Sequence, residues 1–172
     1  PMDLSLSGLP TIDSPYTLFL SDLHLSDETE ALNEVFSALL ASNLFKRADA
    51  FYLLGDLFGF WVGDDMLTEP PYDSIAKAIY NLSQQGVRCY FQPGNRDFLI
   101  GKQFSKRSGM KRIKDPHVID LYGKRTLLSH GDSFCTKDVS YQRFKKQTRG
   151  KLKEKVFLLM PLRVRQIIAD HT

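Results

Sequence analysis

Residues 50–56 read Ala-Phe-Tyr-Leu-Leu-Gly-Asp, five apolar residues in a row and then a glycine and a carboxylate. A run so short and so uniformly apolar fits a strand buried on both faces, the kind that parallel sheets contain. Thr17–Ser21 (TLFLS) is a similar run before it, and Val87–Phe91 (VRCYF) a third after it. Between the first two, Glu28–Leu44 places Leu32, Val35, Phe36, Leu39 and Leu40 at helical spacing, and a second helix is predicted over about Tyr72–Gln85. Strands alternating with helices predict an α/β fold with a mostly parallel sheet. Gly101–Ser108 reads as a further short helix. The stretch HVIDLYGKRTLLSHG reads as two strands that turn at Gly123-Lys124, a hairpin. From Tyr141 onward the pattern is helical, with a break at Pro161. Residues 1–16 are expected to form a loose leader, 17–140 the core, and 141–172 the start of a helical cap.

The chain of 172 residues is long enough for one domain with a real core. Its net charge of +3 gives no argument for a nucleic-acid partner, but the charge is unevenly spread. From Arg143 to Arg165 there are nine Lys and Arg against the single acid Glu154, interleaved with Leu152, Val156, Phe157, Leu158 and Ile167 just beyond. Two readings stand for this segment. It is a helix pair packed on the core with a solvated basic face, or a lipid-handling cap that shelters acyl chains and rests on anionic headgroups. Aromatics are too few there for a base-stacking platform, so no nucleic acid is expected. The longest apolar run, Val156–Leu162, is far short of the roughly 20 residues that cross a bilayer. Cys89 and Cys135 form no disulfide framework and fit a reducing cytoplasm, and the first residues show no secretion signal. Trp61, in the loop after the second strand, either lines a cleft at the strand ends or simply packs.

In open α/β sheets ligands bind beyond the carboxyl ends of the strands. Here those ends carry Asp22 and His24, Asp56, Asn95, and His130. Taken singly, each is an ordinary turn residue or a structural histidine. Taken together, four strand ends would have to repeat the same accident. Oxygen and imidazole donors without thiolate suit Mn²⁺, Fe²⁺ or Zn²⁺. Asp56 could bridge two ions, and Asn95 offers a neutral oxygen that leaves room for an anionic phosphate. Two such ions, about 3.5–4 Å apart, can activate a water and clamp an in-line phosphoryl displacement. Arg96 is a permanently charged fork suited to phosphate oxygens. Asp97 orients this turn, pairs with Arg96, or is a surface turn carboxylate.

The stretches SDLHL (Ser21–Leu25), LGDLF (Leu54–Phe58), PGNRD (Pro93–Asp97) and SHGD (Ser129–Asp132) resemble, in order and spacing, successive motifs of the calcineurin-like metallophosphoesterases. The resemblance runs from about Thr17 to Arg165. Most of that superfamily has a histidine after the asparagine, where this chain has Arg96. GNRDFL, GDLFGFWVGDD and HGDSFCTKDVSYQRF together resemble a narrower family, the UDP-2,3-diacylglucosamine hydrolases of lipid A biosynthesis. The resemblance implies an αββα sandwich whose N-terminal sheet and helices are present. It implies two Mn²⁺ ions held by Asp22, His24, Asp56, Asn95 and His130, with catalytic roles for Asp56, Asn95 and Arg96. Substrate contacts are implied for Asn95, Arg96, Asp138 and Tyr141, although by sequence alone Asp138 is equally a helix cap. The implied reaction splits an acylated UDP-sugar lipid into UMP and 2,3-diacylglucosamine 1-phosphate, in the cytoplasm at the inner-membrane surface. The family's late Gly-His-x-His motif does not occur: the four histidines are His24, His117, His130 and His171. A missing C-terminal part, with the remaining ligands and strands, is therefore expected. A phosphodiesterase acting on a nucleotide or nucleic acid, and a metal-free scaffold of the same fold, are the alternatives.

Overall fold

Strands β1 (Thr17–Leu20), β2 (Ala50–Leu54), β3 (Arg88–Gln92) and β4 (Lys111–Arg112) pair in that order, every neighbour parallel. This computed structural model describes residues 12–134 and 150–170. The expected leader lies largely outside the described residues, and Asp138 and Tyr141 lie wholly outside them. Helices α1 (Glu30–Ala41), α2 (Asn43–Lys46), α3 (Tyr72–Gln84) and α4 (Lys102–Ser108) fill the connections. A separate antiparallel hairpin follows, β5 (His117–Leu121) and β6 (Lys124–Leu128), and then α5 (Lys151–Leu158) and α6 (Leu162–Asp170).

The alternation along β2 explains why an unbroken apolar run is needed. Phe51 and Leu53 enter the main core with Phe36 and Leu40 of α1 and Ile75 and Ile79 of α3, all nearly inaccessible. Burying each such side chain contributes about 1.5–3 kcal/mol. Ala50 and Tyr52 face the other way, into a smaller cluster completed by Leu128 of the hairpin. On that face Phe19, Tyr52 and Tyr90 share one rung and stack at 5.3 and 4.6 Å between centroids. Gln92, fully buried at the end of β3, donates from Nε2 to the Lys114 carbonyl (2.8 Å) and the Leu128 carbonyl (3.2 Å). The hairpin, and with it Ser129 and His130 just past β6, is thereby fixed against the parallel sheet.

The helix predicted over Glu28–Leu44 is two helices. Ser42 leaves the helical region (φ −72°, ψ 158°), and its hydroxyl donates to the Leu39 carbonyl (2.6 Å). A serine able to hydrogen-bond its own backbone offers such an exit, which apolar spacing does not reveal. The expected β3 is shifted by one residue, and β4 is too short to leave a pattern. The C-terminal helices pack on the core by one side and leave apolar residues exposed on another. Phe157, Leu162 and Ala169 pack against the main core, while Leu152, Leu159 and Ile167 are 76%, 84% and 58% exposed. Among the described residues no helix is long and apolar enough to cross a membrane.

Candidate metal centre

The pairing of β1 with β2 continues past the ends of both strands. The Asp22 N–H donates to the Gly55 carbonyl (3.1 Å), the His24 N–H to that of Asp56 (3.1 Å), and the Leu25 N–H to that of Leu57 (2.9 Å). While keeping these bonds, Asp22, His24 and Asp56 adopt φ of +56°, +50° and +54°. The left-handed region costs a residue with a Cβ about 1–2 kcal/mol. Among the described residues only Tyr122 is a further non-glycine with positive φ. The strain is thus concentrated on three side chains whose donor atoms all lie within 4.8 Å of one another. Strain held in place by surrounding structure is a mark of functional sites.

Asp56 is buried, at 3% exposure, and its carboxylate faces two ways. Oδ1 accepts the backbone N–H of Arg96 (2.9 Å), and Oδ2 lies 3.6 Å from His130 Nε2. His130 enters from the hairpin sheet. Its Nδ1 stands 2.8 Å from the Leu54 carbonyl, which only accepts, so that nitrogen carries the proton. Nε2 lies 3.0 Å from Asn95 Oδ1. An imidazole nitrogen, an amide oxygen and a buried carboxylate converge here, the donor types that divalent cations take. The donor set therefore fits a divalent cation. Asp56 belongs both to this group and to the group with Asp22 and His24.

Glycine makes the convergence possible. A Cβ on Gly94 would lie 2.6 Å from the Asp56 nitrogen and 2.9 Å from its Cγ, and one on Gly55 would lie 2.5 Å from His130 Nδ1. Asp97 is fully buried and accepts the N–H groups of Gly94 and Leu57, each at 2.8 Å. Of its three expected roles, orienting the turn is the one observed. Burial pushes its carboxyl up to about 6, against the pull of those N–H groups, and neighbouring Asp56 adds to the rise. Arg96 is exposed at the mouth of the site.

The structure brings together Asp22, His24, Asp56, Asn95 and His130. Of the two readings of Trp61, simple packing is the one observed. That ring is 1% exposed and packs with Phe58, Tyr72 and Phe104. Asp115 went unread as a site residue. Its Oδ1 accepts the Ser129 hydroxyl (2.8 Å) and the His130 N–H (3.2 Å), and so holds the turn that presents His130. An acid 15 residues before its partner, just ahead of a strand, carries no local signal of that role.

Residues 16–164 match the calcineurin-like phosphoesterase family, and the chain belongs to it. It is similar to the curated UDP-2,3-diacylglucosamine hydrolases of Yersinia pseudotuberculosis and Yersinia pestis, each 48% identical over 155 residues. Those matches take in 90% of this chain and 64% of each relative, so the chain spans less than two thirds of their length. A solved nuclease MPE from Pseudomonas putida matches with a TM-score of 0.42 and 16% identity, over 59% of this chain and 49% of that one.

Proposed function

We propose that the chain carries most of the metal site of a hydrolase that splits the pyrophosphate of UDP-2,3-diacylglucosamine into UMP and 2,3-diacylglucosamine 1-phosphate. One observation carries the reading: the buried carboxylate of Asp56 stands in both ligand groups. Asp22, His24 and Asp56 would hold one divalent cation, and Asp56, Asn95 and His130 a second. Mn²⁺ suits this mixture of oxygen and imidazole donors. When bound, the ions supply positive charge to phosphoryl oxygens and lower the pKa of water.

The chain's own groups do the positioning. The Leu54 carbonyl holds the His130 ring with Nε2 inward, and the Arg96 N–H holds Oδ1 of Asp56. A residue that orients a ligand in this way typically matters 10–100-fold in metal affinity or activity. The exposed Arg96 side chain has its fork of N–H groups directed at no carboxylate among the described residues, which suits a pyrophosphate with several anionic oxygens. Asn95 adds an oxygen without adding negative charge beside that anion. The names of the two Yersinia relatives support the substrate. Exposed Leu152, Leu159 and Ile167 beside Lys153, Lys155 and Arg163 support a cap for the acyl chains that rests on the anionic cytoplasmic face of the inner membrane.

The test is UMP release in Mn²⁺, parent against Asp56→Ala, with circular dichroism as the check on folding. The variant is expected to lose turnover and bound metal together; normal turnover would refute the reading. Cyclic nucleotides and single-stranded DNA run beside the acylated substrate, and preference for either would replace the lipid assignment with a phosphodiesterase.

A further inference from the structure

Residues 61–65, Trp-Val-Gly-Asp-Asp, form an elbow whose two carboxylates serve different partners. Asp64 accepts the N–H groups of Gly101 (2.8 Å), Gln103 (2.8 Å) and Phe104 (3.2 Å), and so holds the start of α4. The backbone N–H of Trp61 donates to the Arg96 carbonyl (2.9 Å). The segment that begins with Arg96 and runs into α4 is therefore gripped by the elbow at both ends. From α6 the elbow receives Arg165, whose guanidinium donates to the Val62 carbonyl and to the Asp65 carboxylate. Its Nε donates to the Met160 carbonyl (2.9 Å) in the turn before α6.

Arg165 is 2% exposed, whereas Lys153, Lys155 and Arg163 of the same helix pair lie in solvent. Its charge is thus not part of the basic face. Gly63 has φ +147°, and a Cβ there would meet Arg165 Nη1 and lie 2.8 Å from Asp65 Oδ1, so the elbow admits the guanidinium only because that position is glycine. Removing the guanidinium would take the donors from two carbonyls, that of buried Val62 among them, while the half-exposed Asp65 carboxylate would turn to solvent.

We infer that Arg165 is a positioning residue: it ties the C-terminal helix pair to the elbow that holds the Asn95-Arg96 turn, so that the cap and the Arg96 guanidinium keep one relative placement. The proposed function enters only in giving Arg96 an anion to bind; the link itself rests on the contacts above.

The test compares the Mn²⁺-loaded parent with Arg165→Met and Arg165→Lys by NMR-detected amide exchange and by titration with inorganic phosphate. Arg165→Met keeps the stem and removes the donors. Exchange at the Trp61, Gly101 and Gln103 amides is expected to rise about tenfold more than at the β2 amides, which report global opening. Phosphate binding should weaken about fivefold while Mn²⁺ affinity stays within about twofold, and Arg165→Lys should recover part of both. An exchange increase confined to α6, or equal to that in β2, overturns the inference. If Arg165→Met fails to fold, Asp65→Asn reads the same link from its half-exposed side, with the same expected and refuting results. Arg96→Ala keeps the two readings apart. If phosphate binding survives it, the anion role of Arg96 falls, and the exchange result still decides the link.

Discussion

Replacing Gly94 by alanine tests whether the site depends on the backbone of one turn touching the backbone of another. The added Cβ would lie 2.6 Å from the Asp56 nitrogen, about 0.8 Å inside the 3.4 Å at which ordinary contact begins, and closer still to Oδ1. The Asp56 nitrogen belongs to backbone already strained at φ +54°, and Gly94 is itself held by its N–H bond to Asp97, so neither side yields easily. Overpacking of this kind costs about 1–3 kcal/mol, which for a chain of this size lowers Tm by about 2–4 °C per kcal/mol. Metal ligation tolerates about 0.2 Å, so a carboxylate displaced by several times that should lose Mn²⁺ affinity by about 10–100-fold. Gly86→Ala is the control: its φ is +93°, so alanine there is strained as well, but nothing lies within 4 Å of its Cβ. Calorimetric Mn²⁺ titration and thermal melting of the two variants separate the effects. Both should melt earlier and only Gly94→Ala should lose metal. Unchanged Mn²⁺ affinity in Gly94→Ala would refute the reasoning.

Two further outcomes follow from burial. The Asp97 carboxyl has a folded pKa of about 6, above its ordinary 3.8, so its contribution to stability is complete below about 3.8 and is lost as pH rises through 6. In metal-free protein, urea unfolding should therefore show the parent gaining on the order of 1 kcal/mol on Asp97→Asn between pH 7 and pH 5, and a gap independent of pH would contradict this. Cys89, 4% exposed and with its thiol pushed up to about 12 by burial, should resist iodoacetamide at pH 8 in native protein and react once urea unfolds it, as peptide mass mapping would show. Native labelling at Cys89 would refute its assigned burial.

The strands and the candidate ligands were legible for a shared reason. A parallel strand buried on both faces must be apolar throughout, which marks Ala50–Leu54 residue for residue, and the donor residues stand in the first turns after such runs. The grips on those turns were not legible. Asp64 acts on residues 37–40 positions away, Asp65 on one 100 away, and Asp115 on one 15 away, and no local pattern links an acid to such partners. The GDD of the elbow could as well have been a ligand motif. The structure shows its two carboxylates committed to α4 and to Arg165.

Gly94 shows how a correct local reading can hide the decisive constraint. Within Gln92–Asp97 the dipeptide Pro-Gly announces a turn, and turn chemistry alone accounts for a glycine there. Yet Gly94 is not among the glycines with positive φ, so its conformation does not require glycine. The requirement is room for Asp56, 38 residues earlier in the chain and carried by the neighbouring strand of the sheet. The Arg96 N–H closes the same contact by donating to Oδ1 of that carboxylate. The turn is therefore shaped by the residue it must touch, and backbone approach, rather than a side chain of the turn, sets where the Asp56 carboxylate lies in the candidate ligand group.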